Sequence, residues 1–259
     1  MNVSRAAETK VLEEVKVFGI RLGSASAQSI EKLPYAVQRS DAAEISRSQS
    51  LDLSEFMSNR LTSVSINSAQ NNPLQPDVQY RGFTASPLLG LPQGLAVYQD
   101  GVRINEPLGD SVNWDLLPES TIHSIDLIGG TNPVFGLNSL GGALVVTMKN
   151  GFNYAGTEVE AYTGSWDRHV VNAQTGNNYS LPNGGEWGYY VNFSHFEEDG
   201  WRDLSESDAD NYYATLSWRG GTRSALDLSY QHGSSKLTGN GALPVGLLAV
   251  DRDTCLLYT

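Results

Sequence analysis

Two textures divide this chain, and the change comes at Lys149. After it, apolar and polar residues alternate in runs of about ten, the usual length of a strand that crosses a bilayer. In Trp187–His195 the odd positions are Trp187, Tyr189, Val191 and Phe193, and the even ones Gly188, Tyr190, Asn192 and Ser194. Tyr212, Ala214, Leu216 and Trp218 alternate in the same way with Tyr213, Thr215 and Ser217; Leu226, Leu228 and Tyr230 alternate with Asp227, Ser229 and Gln231. A period of two places each set on its own face of a sheet. These runs therefore predict strands with one aromatic-apolar face and one small, polar face. Thr157–Ser165 and His169–Asn177 are weaker strands of the same kind, five in all. Between the third and fourth lies Glu197–Asp210, rich in carboxylates. It lacks the regular ligand spacing of a calcium loop and reads as a solvated connection. The next connection, Arg219–Arg223, is tight.

Before Lys149 the pattern is mixed. Leu33–Arg39 reads as a strand after Pro34. Asp41 and Glu44 have capping-box spacing, which predicts a short helix to about Arg47. Ser50 is placed to cap a second helix, Leu51–Leu61, whose Leu53, Phe56, Met57 and Leu61 form one helical stripe. Val64–Asn67 and Val78–Phe83 read as strands around a Pro/Asn loop. Leu95–Gln99 and Val102–Asn105 form a hairpin through Asp100-Gly101, a dipeptide that suits a type I′ turn. Ser124–Ile128, a compact turn over Gly129–Gly136, a Gly141-Gly142 pair and a last strand, Ala143–Lys149, complete this half.

Composition narrows the function classes. No run reaches the ~18 apolar residues of a spanning helix, which excludes a helical membrane protein but not a β-barrel. The net charge of −12 argues against a nucleic-acid partner, since phosphate binding needs a basic stripe. A single cysteine, Cys255, excludes an internal disulfide and the Cys-rich zinc patterns. His123, His169, His195 and His232 are scattered without metal-ligand spacing, and the Gly-rich turn lacks the Gly-Lys-Ser/Thr of a phosphate loop. No enzyme, cofactor or metal site is expected.

Several ordered motifs carry a resemblance. They are Tyr80-Arg81-Gly82-Phe83, Tyr98-Gln99-Asp100-Gly101-Val102, Ile122–Gly130, Phe135-Gly136 with the preceding Val134, and Leu140–Lys149. Together they resemble the plug domain of TonB-dependent outer-membrane transporters, over roughly Val11 to Lys149. The resemblance implies an α+β plug domain followed by antiparallel transmembrane β-barrel strands, here an incomplete 22-stranded barrel. The expected domains are a disordered segment over 1–10, a plug over 11–150 and the first five or so barrel strands over 151–259. Plugged barrels are the 22-stranded class, so roughly 17 strands would be missing.

The resemblance also implies where function lies. Three loops, Ser68–Pro76, Thr84–Pro92 and Asn105–Trp114, would form the floor of a ligand site. Their candidate contacts are Asn71, Asn72, Gln75, Ser86, Glu106, Asp110, Asn113 and Trp114. Asn and Gln offer both donors and acceptors, and Trp114 could stack on a ring. An energy-coupling peptide is expected within Glu8–Val17, with Glu8, Val11, Val15 and Val17, as a strand added to TonB; ExbB and ExbD would be its partners. The family often has Arg-Gly-Pro where this chain has Gly129-Gly130-Thr131, so Arg81 and Asp126 are expected to anchor the plug instead. Import of a scarce ligand, such as an iron–siderophore or other metal chelate, through lipid and lipopolysaccharide of the bacterial outer membrane is the implied function. A non-transporting surface or adhesion protein on the same fold, and a soluble β-rich binding module, are the rivals. The N-terminus has no secretory signal and Asp251–Thr259 drops the alternation, with a CLLYT end like adapter read-through, the alternative being the start of another loop or strand. The chain is expected to be an amino-terminal fragment.

Overall fold

The computed structural model describes residues 36–255 apart from 49, 51, 69, 132–134, 183 and 221–223. Its described strands form three sheets. The first has five strands: β1 (Val37–Asp41), β5 (Leu95–Gln99), β6 (Val102–Arg103), β7 (Ile122–Gly129) and β8 (Gly142–Met148), in the order β1-β7-β8-β5-β6. Only β5 and β8 run parallel, so the sheet is mixed, as expected. Both of its faces are covered. Val97, Ile125, Leu127, Leu144 and Val146 point into one apolar cluster, and Ala96, Tyr98, Ile128, Ala143 and Val145 into another under Phe135. Burial on both faces explains why β8 reads as an unbroken apolar run rather than an alternating one.

Two helices and a small sheet cover the first cluster. Helix α1 (Ala42–Ser48) starts where Asp41 Oδ1 accepts the Glu44 backbone N–H at 2.9 Å. Helix α2 (Leu53–Arg60) is capped by Asp52, not by Ser50: Asp52 Oδ1 accepts the Glu55 N–H at 2.9 Å, while the Ser50 hydroxyl is 3.0 Å from that of Ser48. Asp and Ser are comparable caps, so spacing alone did not separate them. Leu53, Phe56, Met57 and Leu61 are all buried, as the stripe requires. The small sheet runs β2 (Val64–Asn67), β3 (Asp77–Tyr80) and β4 (Phe83–Ala85). Val78–Phe83 is thus two strands, not one. Arg81 and Gly82 both have positive φ, 51° and 85°, and turn the chain back in two residues. The expected turn at Asp100-Gly101 has the same signature, with φ of 47° and 85°.

The third sheet is a wall of five antiparallel strands in sequence order: β9 (Gly156–Thr163), β10 (His169–Ser180), β11 (Gly185–Glu198), β12 (Ser207–Gly220) and β13 (Ser224–Leu237). It does not close on itself. One face packs on the αβ body and the other is open. In β11 the even positions from Gly188 to Glu198 are buried, while Trp187, Tyr189, Val191 and Phe193 face outward. Trp187 stands opposite Trp218, and Phe193 opposite Tyr212. The two faces therefore divide as the alternation predicts. The inner face is not uniformly small, however: Tyr190 and Tyr213 point inward and join the apolar cluster of the body.

The acidic connection is shorter and better packed than expected. Its strands extend to Glu198 and from Ser207. Glu198 forms a buried ion pair with Arg168, and Arg202 donates to the carbonyls of Gly241 (2.6 Å) and Thr254 (2.9 Å). The Asp203 N–H donates to the Asp253 carbonyl at 2.7 Å. This connection is a folded clasp over the strap that carries α3 (Val245–Leu248).

Candidate functional site

The three predicted loops fold differently from one another. Residues 84–92 and 105–114 form one unit. The Val112 N–H donates to the Ser86 carbonyl at 2.9 Å, and Trp114 Nε1 to the Ala85 carbonyl at 3.3 Å. Leu89 presses on Gly109, where an added Cβ would lie 2.6 Å from its Cδ2. Buried Asp77 ties the base of this unit to the small sheet, accepting from Asn67 Nδ2 at 3.1 Å and from the Ser86 hydroxyl. Loop 68–76 instead leans on the wall. Asn72 Nδ2 donates to Ser207 Oγ at 2.6 Å, next to the folded clasp.

This arrangement sorts the eight candidate contacts. Asn72, Ser86 and Trp114 are buried at 1%, 0% and 5% exposure, with their polar atoms engaged. They hold the loops in shape. Asp110 accepts from Arg103 Nη2 at 2.9 Å and from Asn138 Nδ2 at 2.8 Å. Asn113 Nδ2 donates to Glu106 Oε1 at 3.0 Å. Asn71 and Gln75 are half-buried on loop 68–76, while Glu106 is exposed on the other unit, as are Leu89 and Leu108. Arg103 is the residue that sequence reasoning missed here. Its guanidinium bonds Asn105 Oδ1, Asp110 and the Leu137 carbonyl, joining loop 105–114 to the turn at 137–138.

The expected anchors do not reach the wall strands described. Arg81 stands exposed on its two-residue turn and stacks over Tyr80, 5.0 Å from the ring centroid. Asp126 faces Arg39 within the body at 3.6 Å. Burial raises the Asp126 carboxyl above the usual range, and Arg39 only partly offsets it. The body is seated through other residues. Lys149 Nζ donates to the Ser120 carbonyl at 2.7 Å and to Gln174 Oε1 of β10 at 3.0 Å. The Tyr190 hydroxyl donates to the same Gln174 oxygen at 2.8 Å, and Asn192 Nδ2 to Ser120 Oγ at 3.2 Å. The Tyr213 hydroxyl donates to Asp100 Oδ2 at 3.3 Å, and Gln99 Nε2 to Gln231 Oε1 at 2.8 Å. Period-two alternation marked these wall residues as inward-facing; nothing in it named their partners.

Two charges on this seam are strained by burial. The Glu119 carboxyl is pushed up to about 8 by desolvation, with Asp52, Glu160 and Glu55 adding to the rise and Lys149 opposing it. Burial lowers the Lys149 ammonium, with Glu158 and Glu119 opposing. Among the described residues no group of three or more His, Cys, Asp or Glu is placed to hold a metal. The coupling candidates Glu8, Val11, Val15 and Val17 lie outside the described residues.

Comparison with known proteins bears on this geometry. The sequence profile of the TonB-dependent Receptor Plug Domain matches residues 29–143. No curated protein matches the chain. Among solved structures it resembles the unliganded ferric citrate transporter FecA, with a TM-score of 0.62 and 15% identity over 85% of this chain and 34% of that one. It also resembles the ferripyoverdine receptor of Pseudomonas aeruginosa bound to ferripyoverdine (TM-score 0.61, 12% identity, 83% and 28%). A third is the ferric yersiniabactin uptake receptor FyuA from Yersinia pestis (0.56, 14%, 79% and 32%). Identities this low speak to fold alone. The chain spans about a third of the length of these structures.

Proposed function

Residues 29–143 are a TonB-dependent receptor plug domain, and we propose that the protein carrying it is an energised importer of a scarce small ligand across the bacterial outer membrane. The observation that carries this reading is the seam. The plug domain sits against the polar inner face of a strand wall whose outer face is aromatic and apolar. Such a wall suits lipid outside and a wet lumen inside. The plug is the part that moves, and its N-terminal side faces the periplasm.

The cargo is proposed to be a ferric chelate. The support is that ferric citrate, ferric yersiniabactin and ferripyoverdine are named for the solved structures this fold resembles. It binds at the loops around Asn71, Gln75 and Glu106, against Leu89 and Leu108. Residues 8–17 supply the strand that TonB engages through main-chain hydrogen bonds, and ExbB and ExbD energise the pull. The test is uptake of ⁵⁵Fe-loaded citrate, yersiniabactin and pyoverdine by cells whose only ferric-chelate receptor is the full-length protein. Uptake of one chelate that stops when TonB is deleted is the expected result. Surface binding without uptake, unchanged by TonB deletion, refutes transport and leaves a surface-binding protein.

A further inference from the structure

Below loop 68–76 a cavity of about 400 Å³ separates the plug from the wall. Pro73, Leu74 and Pro76 of that loop line it, as do Ser120 and Lys149. Ile45, Leu53 and Met57 of the plug helices line one side; Val170, Phe196 and Ala209 of the wall line the other. The volume falls within the range of small-molecule pockets, ~300–1,000 Å³. It is distinct from the exposed loop surface around Glu106, which does not line it.

The charged groups around it are mostly of one sign, set among neutral Ser, Asn and Gln side chains. Asp52, Asp115, Glu158 and Glu160 contribute carboxyls, Glu119 adds one that burial holds protonated at neutral pH, and Lys149 is the one cation among the lining residues. The Lys149 ammonium is already committed to the Ser120 carbonyl, to Gln174 and to the Tyr154 ring, 4.9 Å from its centroid. Asn211, 7% exposed, donates its amide N–H to the Asp115 carbonyl at 3.0 Å and leaves its Oδ1 without a partner. A buried amide oxygen without a donor is costly, and it asks for an N–H. Trp114, Tyr162 and Phe196 add aromatic surface to the lining, which attracts cations further. An anionic ligand would find carboxyls and a spent lysine.

We propose that this cavity is a second ligand station inside the lumen, and that it takes an organic group carrying a protonated amine or guanidinium. The inference rests on the importer reading for its route, since a ligand reaches the cavity only after passing the outer loops. It narrows that reading: cargo with a cationic arm is handed inward, and wholly anionic cargo is not.

The test is a fluorescence titration of the purified full-length receptor in detergent, with dansylcadaverine as the cationic probe and dansylamide as its neutral counterpart. Dansylcadaverine is expected to bind about tenfold tighter or more, the ratio that ~1.4 kcal/mol of charge attraction gives. Glu158→Gln with Glu160→Gln should remove that preference, and raised salt should weaken it. Ala43→Trp, on the exposed side of α1 at the cavity edge, should block the cationic probe without disturbing the core, should the carboxyl variants fold badly. Equal binding of the two probes, binding of neither, or indifference to all these substitutions overturns the proposal and leaves the cavity as hydration space. Probe binding is read without TonB. Failure of chelate uptake with intact probe selectivity therefore counts against the importer reading alone.

Discussion

Replacing Lys149 with Met removes the charge at the point where the plug joins the wall and keeps the length of the side chain. The ammonium makes two hydrogen bonds, at 2.7 Å to the Ser120 carbonyl and 3.0 Å to Gln174 Oε1. Only the second crosses to the wall. A hydrogen bond to a charged group contributes about 1.5–3 kcal/mol, and the stacking over Tyr154 adds ~0.5–2 kcal/mol. Two effects reduce the loss. The ammonium is desolvated, which a methionine would not be. Gln174 Oε1 and the Ser120 carbonyl also keep the Tyr190 hydroxyl, at 2.8 and 3.3 Å. A net loss of about 2 kcal/mol of seating follows, or about 30-fold in the equilibrium between seated and unseated plug. Hydrogen exchange on the full-length receptor reads this directly. Amides of residues 114–121 and 149–155 should exchange about 30-fold faster, while those of Ala96–Tyr98 in the plug core should not change. Unchanged seam amides, or equal acceleration in the core, would refute the assignment of Lys149 as the seat.

Three further predictions test other parts of the structure. Glu119 titrates near 8 in the fold and near 4.5 when exposed. The folded protein therefore holds this proton more tightly, so its contribution favours folding below pH 4.5 and is lost as pH rises to about 8; Glu119→Gln should flatten that slope in a pH series of unfolding midpoints, and an unaltered slope would count against it. Gly142 has φ +137°, and an added Cβ would lie 2.1 Å from the Ile128 carbonyl, so Gly142→Ala should cost ~3 kcal/mol or more, whereas Gly246→Ala, with nothing within 4 Å, should be silent in the same urea titration. On the outward face, Leu216→Arg should destabilise the full-length barrel by about 2–4 kcal/mol if the residue sits at the bilayer midplane; a loss below ~0.5 kcal/mol in a vesicle unfolding titration would place that face out of lipid.

How far the sequence exposed this structure depended on what local pattern encodes. The wall was legible because a strand with two different environments must alternate, and Trp187, Tyr189 and Val191 against Gly188, Tyr190 and Asn192 do so plainly. The same rule misjudged Tyr190 and Tyr213 as members of a small inner face. An inner wall that touches a filled lumen meets apolar packing as well as polar backbone, and tyrosine satisfies both, with its ring in the cluster and its hydroxyl on Ser120, Gln174 or Asp100. Turn chemistry was legible at Asp100-Gly101 but overlooked at Arg81-Gly82, because arginine is an uncommon residue at positive φ. That reading placed Arg81 inside a strand rather than on an exposed turn. The loop candidates divide for a different reason. Asn72 and Ser86 are polar and Trp114 carries an N–H, which suggests ligand contact, yet here these groups are spent on Ser207, Asp77 and the Ala85 carbonyl. Only three-dimensional closure reveals which donors remain.

The plug is held together and held in place by different forces. Its interior is apolar: Phe56, Met57, Ile122, Ile125, Leu127 and Val146 are essentially sealed from water, and each such side chain contributes about 1.5–3 kcal/mol by burial. The seam to the wall consists largely of paired amides, hydroxyls and carbonyls: Asn72 with Ser207, Gln99 with Gln231, Asn192 with Ser120, Asn211 with Asp115. A neutral hydrogen bond of this kind contributes only about 0.5–1.5 kcal/mol net, because water replaces it when the partners separate. Opening the seam therefore costs a few exchangeable bonds and the burial of Tyr190 and Tyr213, whose rings join the plug cluster, while unfolding the plug costs its whole core. Had the inner wall carried leucine and valine at these positions, the two costs would be alike and the plug could not shift without coming apart. The polarity of the inner face, which in the sequence reads merely as the alternate half of a strand pattern, is what keeps parting the plug from the wall cheaper than unfolding it. The charged node at Lys149 lies next to the covalent link between plug and wall, so the strongest contact guards the point where the chain cannot separate, and the single neutral bonds at Asn72 and Gln99 stand where it can.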